Sequence, residues 1–379
     1  MVALPLGRHR VGLRKRDSTF TTGRALAHLQ SLRLCQSNRR ISPDNPTLII
    51  TTKAVTTFTM APHIARSLCN RFLAARFVES CDSQTEFQQP DKVWQLTPKG
   101  ISLLQSFAYR RGVQDHHVFS VIESPRNTMR LLVLERDSET DELIRDPATL
   151  EVIFRRFVGM ENLNTQNGTS SSDTDSVNEC QNGVLGVKQS QRKIGTRLFP
   201  SAFTGKAAID WLMNCCSLAD EREAEEILSL FQKHQFIVCL KDARTEEQKV
   251  SSRFQFSKSC IHMVTDEGSL LVRGAARHQN TLINEAHRSQ GAARDSNASR
   301  MVVILSTPSL RLLFREFLRD THCEENLVFF MEVKDLLARW DSAMKRQSDA
   351  TAPTIDDTIR ETMAAAYGEP SEFVANIFD

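Results

Sequence analysis

The spacing of apolar residues between positions 307 and 340 predicts two amphipathic helices joined by a polar corner. The first helix carries apolar side chains at i, i+3, i+4 and i+7, on one face: Leu310, Leu313, Phe314 and Phe317. The second carries a similar set: Leu327, Phe330, Met331 and Leu337. Between them Thr321 precedes Glu324 by three residues, the spacing of a capping box. Spacing alone is equally compatible with an ordinary helical hairpin whose polar turn faces water.

A second pattern occurs twice along the chain. Five apolar positions recur 159 residues later: Ala65, Leu68, Phe72, Phe77 and Val78 match Ala224, Ile227, Phe231, Phe236 and Ile237. The strand-like segment 93–96 is matched with 254–256, and the segment that begins at Phe20 with the one that begins at Phe203. This alignment places His28 and Leu29 at the positions of Asp210 and Trp211. Three matches in one order predict a duplicated α+β unit of winged-helix type.

Composition limits the class of protein. The 379 residues allow two or three domains, each with its own core. The formal net charge of +2 creates no overall demand for a polyanionic partner. No run of apolar residues is long enough for a transmembrane helix. Nine cysteines without a C-x-x-C pair are typical of reduced thiols in a cytosolic protein.

The amino-terminal residues 1–43 are basic, with eight arginines and Lys15 against one acid, Asp17. This composition superficially resembles a mitochondrial transit peptide. We favour a folded segment, because cleavage there would remove part of the first repeat. The first thirty residues also lack the continuous apolar segment of a secretory signal.

No motif of an independent active site is present. The sequence has no G-x-x-x-x-G-K-[ST] loop, no H-E-x-x-H and no G-x-S-x-G. The pair His116-His117 has no Cys or His at metal-ligand spacing and is interpreted as the flank of a turn. Glu324 and Glu325 would point about 100° apart on a helix. We interpret them as solvated carboxylates, so no catalytic residue, cofactor or metal is predicted.

Winged-helix units raise the alternative of DNA binding. The helix that would enter a groove begins D-E-R-E-A-E-E at 220–226, and its acids would face phosphates unfavourably. We therefore predict no nucleic-acid partner. The arm before it is basic and includes Lys193, Arg197 and Lys206, which could contact an anionic membrane. An ordinary solvated basic face remains an equal alternative.

The segment 307–340 resembles the start of the regulator of G-protein signalling (RGS) domain. That family pairs an F-x-x-F-L helix with an E-E-N-L-x-F helix, here F-R-E-F-L at 314–318 and E-E-N-L-V-F at 324–329. The resemblance implies that Glu325 and Asn326, with His322 and Cys323, contact the switch region of a Gα subunit. The tail 367–379 resembles a later passage of the family and implies the same role for Asn376.

The second repeat resembles the DEP domain, whose first helix carries an apolar-G-x-x-A-[VI]-[DE]-W-L motif. The matching run is F-T-G-K-A-A-I-D-W-L at 203–212. The first repeat departs from this motif and carries an insertion at 36–59, so it resembles a divergent DEP unit. The whole order resembles fungal developmental regulators of the FlbA type. Connector segments at 124–131, 134–137 and 153–157 share this resemblance.

The predicted fold class is multidomain α+β, with two winged-helix-like DEP units and a partial all-α RGS helical bundle. The predicted order is a divergent DEP-like domain at 11–112, a strand-rich connector at 113–160, a flexible linker at 161–190, a DEP domain at 191–265, a flexible linker at 277–300 and a partial RGS domain at 301–379. The linkers are predicted because polar stretches bury too little surface to offset ordering entropy.

The resemblance implies a negative regulator of heterotrimeric G-protein signalling, which accelerates GTP hydrolysis by Gα without a catalytic site of its own. It implies that the DEP units dock the protein on a receptor tail or on the cytoplasmic side of the plasma membrane. Because helices of that family's bundle would follow Asp379, we expect this chain to have little activating activity. The alternative is a DEP adaptor that docks on receptor or membrane without activating GTP hydrolysis.

Overall fold

The structure is a computed structural model that describes residues 4–42, 45–111, 113, 115–137, 140–159, 186–194, 196–240, 254, 257, 260–273, 297–321 and 323–348. The chain divides into two compact units, of which the first contains residues 1–137 and 142–312 and the second contains residues 138–141 and 313–379. The first contains two winged-helix domains and the connector between them.

The first winged-helix domain is a four-stranded antiparallel sheet covered by helices. Along the chain it runs β1 (Gly7–Val11), β2 (Arg14–Thr21), α1 (Thr22–Gln30), β3 (Leu32–Ser42), β4 (Asn45–Phe58), α2 (Pro62–Ala74), β5 (Val78–Ser80), β6 (Val93–Leu96), α3 (Pro98–Arg111) and α4 (His116–Ile122). The strand order is β1-β2-β6-β5. Its core stacks Phe87 on Trp94, with ring centroids 3.9 Å apart, and both rings are fully buried.

The insertion predicted at 36–59 forms part of a long two-stranded ribbon. β3 and β4 pair antiparallel from Leu32–Phe58 outward, and they form a sheet of their own beside the winged helix. No structure was predicted for this insertion. The many β-branched residues of 47–58, which are threonine, isoleucine and valine, are typical of a strand, and this signal was available.

The connector, predicted to be strand-rich at 113–160, is built around helices instead. Its strand-like contacts in the described residues are two isolated bridges, Leu132–Cys216 and Arg136–Leu143. Helix α5 (Pro147–Val158) buries residues at helical spacing: Leu150, Ile153, Phe154 and Phe157. His116 and His117, interpreted from the sequence as a turn flank, begin α4, which Asp115 caps by accepting from the His117 amide at 2.8 Å. Helical periodicity therefore outweighs the β-branched content of the segment.

The second winged-helix domain repeats the arrangement of the first. Its elements are β7 (Ser190–Ile194), β8 (Arg197–Thr204), α6 (Gly205–Cys215), α7 (Glu221–Lys233), β9 (Ile237–Leu240), β10 (Ile261–Val264) and α8 (266–273). The strand order β7-β8-β10-β9 matches that of the first sheet. The hairpin tips also match, because the pair Val11–Arg14 corresponds to Ile194–Arg197, 183 positions later. This agrees with the predicted duplication.

The helix after each hairpin corrects the sequence alignment by one residue. Thr21 and Thr204 cap α1 and α6, and each side chain accepts from the backbone amide three residues later. These caps place His28 at the position of Trp211, whereas the sequence alignment placed it at Asp210. The alignment was wrong because it matched Gly23 with Gly205, in the first turns of the two helices. The capping threonines instead show which residues of α1 and α6 correspond.

The strand match was also wrong. β6 pairs with β2 and β5, and the strand that makes the same pairings in the second domain is β10, not 254–256. Residues 255 and 256 lie outside the described residues. Phe254 instead stacks on His262 of β10 with centroids 4.4 Å apart, as Phe87 stacks on Trp94 of β6. The sequence pattern had therefore identified Phe254, the aromatic residue that packs on the strand, and had missed the strand itself.

The predicted linkers are shorter than expected where the structure describes them. Residues 161–185 lie outside the described residues, but Val187 is buried and its amide donates to the Phe157 carbonyl at 2.6 Å. Of the second linker, 277–296 lie outside the described residues, while 297–300 begin helix α9 (Asn297–Ser306). Residues 186–190 and 297–300 therefore have defined structure within stretches that were predicted to be flexible.

The two winged-helix domains contact each other through two cations of the first. The Arg76 guanidinium lies 2.5 Å from the Asp210 carboxylate on α6 and donates to the Asn214 side chain at 3.1 Å. The Lys99 ammonium donates to the carbonyls of Met213 and Leu218 at 2.5 and 2.6 Å, near the end of α6. Lys99 is 2% exposed, so this contact is part of the interior.

Candidate functional site

The predicted Gα-binding corner lies between α10 (Pro308–Asp320) and α11 (Glu324–Ser348). A bidentate salt bridge stabilises this corner. The Arg319 guanidinium donates to both oxygens of the Glu324 carboxylate, each at 2.9 Å. Burial lowers the pKa of Arg319, but hydrogen bonds and charge from Glu324 outweigh it, so the net pKa is raised. The bridge joins the last turn of one helix to the first turn of the next.

This bridge replaces the capping box predicted from Thr321 and Glu324. The Thr321 hydroxyl donates backward to the Phe317 and Leu318 carbonyls at 3.2 and 3.1 Å. It therefore closes the end of α10 rather than the start of α11. The prediction was wrong because α11 begins at Glu324, so Thr321 does not stand at its N-cap, and because the Glu324 carboxylate is bound by Arg319, five residues earlier.

The structure places two of the five predicted Gα-binding residues side by side on the surface. Glu325 and Asn326 are exposed in the first turn of α11, and Leu327, next to them, is 3% exposed and anchors the turn. Cys323 is half-buried, and its thiol contacts the Thr321 carbonyl at 3.2 Å. His322 and Asn376 lie outside the described residues.

The apolar face predicted for α10 is turned toward solvent. Leu310, Leu313 and Phe317 are 36%, 41% and 60% exposed. The residues that this helix buries are Ser309, Arg311 and Leu312. The face of α11 agrees better with its pattern, because Leu327 is buried and the other three predicted residues are half-buried.

Arg311 explains the orientation of α10. Its guanidinium donates to both Glu135 oxygens, with Nε distances of 3.0 and 3.1 Å, and to the Leu305 carbonyl at 2.7 Å. The two charged side chains are 9% and 15% exposed. Leu312 joins the core of the second winged-helix domain. These contacts turn 311 and 312 inward, and the predicted apolar stripe lies on another side of the helix.

The second candidate surface is the hairpin β7–β8. Lys193 and Arg197 are exposed near its tip, and Leu198, opposite Lys193, is 58% exposed. Lys206 is also exposed but lies on α6, where its ammonium is 3.2 Å from Asp210. The structure therefore brings two of the three predicted docking cations together on the hairpin, and the third is paired within its own helix.

The helix that would enter a DNA groove forms ion pairs with the connector. On α7, Glu223 pairs with Arg136 at 2.6 Å, and Glu226 pairs with Arg145. Asp220 and Glu223 also form a capping box at its start. The acids that disfavoured phosphate contact in the sequence thus attach α7 to the connector. The predicted absence of a nucleic-acid partner rests on charge and stays a prediction.

Two further properties concern the residues that the structure describes. Among those residues, no group of three or more His, Cys, Asp or Glu side chains is placed to hold a metal ion. In the same ranges, no helix is both long enough and apolar enough to cross a bilayer.

Comparison with protein families gives three matches in order. Residues 1–124 match the fungal-differentiation regulator winged helix domain, 186–263 the domain found in Dishevelled, Egl-10 and Pleckstrin (DEP), and 301–366 the regulator of G protein signaling domain. The first match starts before the predicted boundary at residue 11 and names a winged-helix family of its own. It includes β1 and α4, which the predicted range 11–112 had divided or left out.

Two curated relatives align with most of the chain. Developmental regulator flbA of Emericella nidulans is 45% identical over 99% of this chain and 52% of its own length. Regulator of G-protein signaling 1 of Schizosaccharomyces pombe is 24% identical over 93% of this chain and 69% of its own length. The DEP domain of human pleckstrin is 17% identical, covering 35% of this chain and 91% of its own, with a TM-score of 0.24.

This chain spans about half the length of the Emericella relative. Its identity to that relative nevertheless extends through the winged-helix, DEP and RGS matches. The chain therefore contains a fungal-differentiation regulator winged helix match, a DEP match and an RGS match in this order, and over almost its whole length it is similar to a fungal regulator of the FlbA type.

Proposed function

We propose that this chain binds the switch regions of a Gα subunit through the corner between α10 and α11. The observation that carries the proposal is the exposed pair Glu325 and Asn326 on a turn fixed by the Arg319–Glu324 bridge and by buried Leu327. A turn whose backbone is held in place loses little conformational freedom on binding. An asparagine both donates and accepts hydrogen bonds, which suits contact with a polar backbone segment.

In the full-length lineage, such binding accelerates GTP hydrolysis without a catalytic side chain from the regulator. A Gα subunit carries its own arginine and a glutamine that orients the attacking water. A partner that binds best to the transition-state arrangement lowers the barrier by its differential affinity, and about 1.4 kcal/mol is tenfold in rate. The proposed role is therefore to select a conformation of Gα rather than to supply a reacting group.

The test compares affinity for two forms of Gα. The chain is titrated with Gα·GDP and with Gα·GDP·aluminium fluoride, which mimics the transferring phosphoryl group. We expect preference for the second form and, for Asn326→Ala, loss of about tenfold in that preference, the effect of one or two hydrogen bonds. Asp335→Ala, an exposed change on the same helix, is the matched control. Equal affinity of the wild type for both forms would contradict the proposal.

We further propose that the β7–β8 hairpin docks the protein on a receptor tail or on the cytoplasmic face of the plasma membrane. The exposed cations Lys193 and Arg197, beside exposed Leu198, support this role. Reversal of Lys193, Arg197 and Lys206 to glutamate should move the protein from the membrane fraction to the supernatant. Because Lys206 pairs with Asp210, we expect the two hairpin cations to account for most of the effect.

The alternative function is a docking adaptor that does not act on Gα. It is favoured if the chain binds a receptor tail through the hairpin but shows no preference between the two Gα forms. Unchanged fractionation of the triple variant, in turn, would exclude this hairpin as the anchor without affecting the Gα proposal.

A further inference from the structure

The tip of the first hairpin presents a leucine to solvent. Strands β1 and β2 are joined by Gly12 and Leu13, and Gly12 has φ +59°, a conformation that favours glycine. This tight turn leaves Leu13 92% exposed, the largest exposure among the large hydrophobic side chains described. Folding of this chain therefore recovers almost none of the hydrophobic free energy of that side chain.

Cations surround this leucine. Arg10 on β1 and Arg14, Lys15 and Arg16 on β2 are exposed, and the register places Arg10 opposite Lys15. Arg10 Nε donates to the Gly12 carbonyl at 3.0 Å, which holds its guanidinium close to the turn. The one acid of the hairpin, Asp17, lies near its base and pairs with Arg8. The tip thus combines an exposed apolar residue with four positive charges.

We propose that the β1–β2 hairpin of the first winged-helix domain is a membrane-contact element that inserts Leu13 into the interface of an anionic bilayer. Arg14, Lys15 and Arg16 bind lipid headgroup phosphates and carboxylates around the insertion. This surface lies on a different domain from the β7–β8 hairpin. The inference goes beyond the proposed function and does not depend on it.

The leucine favours lipid over nucleic acid as the partner. Basic side chains alone would suit either polyanion, because both offer dense negative charge. A leucine at the tip gains from removal of water only where hydrocarbon is available to receive it. Contact with a phosphate backbone would leave it hydrated or cover it with polar atoms. Dependence of binding on Leu13 is therefore the property that separates the two partners.

The experiment measures partition of the 379-residue chain onto sedimented vesicles. Vesicles of phosphatidylcholine alone are compared with vesicles that also contain phosphatidylserine. We expect binding to the second kind, weakened by salt. Leu13→Ser should reduce the partition coefficient about tenfold, since most of a leucine transfer is lost. Reversal of Arg14, Lys15 and Arg16 to glutamate should reduce it by about a hundredfold or more.

Matched controls change the same chemistry elsewhere. Leu270→Ser removes another leucine that is 67% exposed, and Arg66→Glu with Arg222→Glu and Lys233→Glu makes the same change in charge on α2 and α7. We expect both controls to partition within about twofold of the wild type, because peripheral charges far from a bilayer are screened. Circular dichroism checks that each variant is folded.

A gain-of-function variant gives a second reading. Leu13→Trp should bind phosphatidylserine vesicles more tightly, with emission that shifts to the blue on binding, because tryptophan is favoured at the bilayer interface. Lys193→Glu with Arg197→Glu removes the cations of the β7–β8 hairpin. In that background, Leu13→Ser should still reduce the partition coefficient by the same factor. Equal binding of Leu13→Ser and wild type would overturn the proposal. So would duplex DNA binding that competes with vesicles and is insensitive to Leu13.

Discussion

Replacement of Lys99 by methionine should remove a pH dependence of stability that this buried cation creates. The Lys99 ammonium lies between the Met213 and Leu218 carbonyls, and its other contact is the ring of Phe77, 5.4 Å from Nζ. At 2% exposure, water has little access to it. Three contacts therefore replace hydration, and they do so incompletely.

Burial, the largest cause, lowers the pKa of Lys99 from the 10.5 of a solvated lysine to about 7. Between these values the unfolded chain binds a proton that the folded chain has released, so the free energy of unfolding rises with pH. Below about pH 7 both states are protonated, and the full cost of the buried charge is present. One proton is worth about 1.4 kcal/mol per pH unit, so the gain from pH 6 to pH 9 is about 3 kcal/mol.

The assay is urea unfolding at pH 6, 7, 8 and 9, followed by the fluorescence of buried Trp94 and Trp211. Titration stops at pH 9 because burial also raises the pKa of Cys69 to about 11, and this thiol lowers stability at higher pH. The wild type should gain about 3 kcal/mol across the series relative to Lys99→Met. Lys233→Met, on an exposed position, should follow the wild type. Parallel curves for wild type and Lys99→Met would refute the reasoning.

Two further predictions concern packing and charge. Gly100→Ala should destabilise the first domain by about 1–3 kcal/mol, because an added Cβ would lie 2.0 Å from the Phe77 carbonyl oxygen. Gly7→Ala is the control, because the nearest atom to its added Cβ is 3.6 Å away. Equal urea midpoints for the two variants would contradict the clash. Arg311→Met should cost about 3 kcal/mol by leaving the half-buried Glu135 carboxylate without its ion pair. Addition of Glu135→Leu should restore most of that loss. A double variant no more stable than the single one would argue against this pair.

The duplication could be predicted from the sequence because its basis is burial. Positions such as Ala65 and Ala224 are fully buried in both copies, and their helices retain the same spacing. Register was not predictable from that signal. His262 replaces Trp94 in the strand, and Phe254 occupies the loop, so an alignment on aromatic residues moves the strand. The hydrogen-bond partners of each strand decide which residues correspond, and a single sequence does not contain this information.

The candidate corner was predicted only in part. Its position and the exposure of Glu325 and Asn326 follow from helix periodicity and from family resemblance. The ion pair that fixes it joins Arg319 to Glu324, a spacing of five residues across two helices that no single-helix rule describes. The same limit applies to Arg311 and Glu135, which are 176 positions apart. Charged residues at long separation carry no local signal of their partners.

In the contact between the two winged-helix domains, the first domain supplies the cation and the second supplies the acid. Sequence differences between the two copies explain why the reverse contact does not form. Arg76 and Gln235 occupy corresponding turns, with φ +60° and +59°. Only the first has a charge that can reach the acid on the neighbouring α6. The acid itself, Asp210, corresponds to Ala27 in the first copy, so the reciprocal contact has neither a cation nor a carboxylate.

A head-to-tail contact between like domains would ordinarily be able to repeat and add further copies. Here the second copy lacks the cation at 235 and the first lacks the acid at 27, so these two positions cannot repeat the contact. Asp210, which also receives Lys206, is consequently committed to the interior of this pair. The exposed hairpins, which keep the same register in both copies, are the surfaces that duplication left available for separate partners.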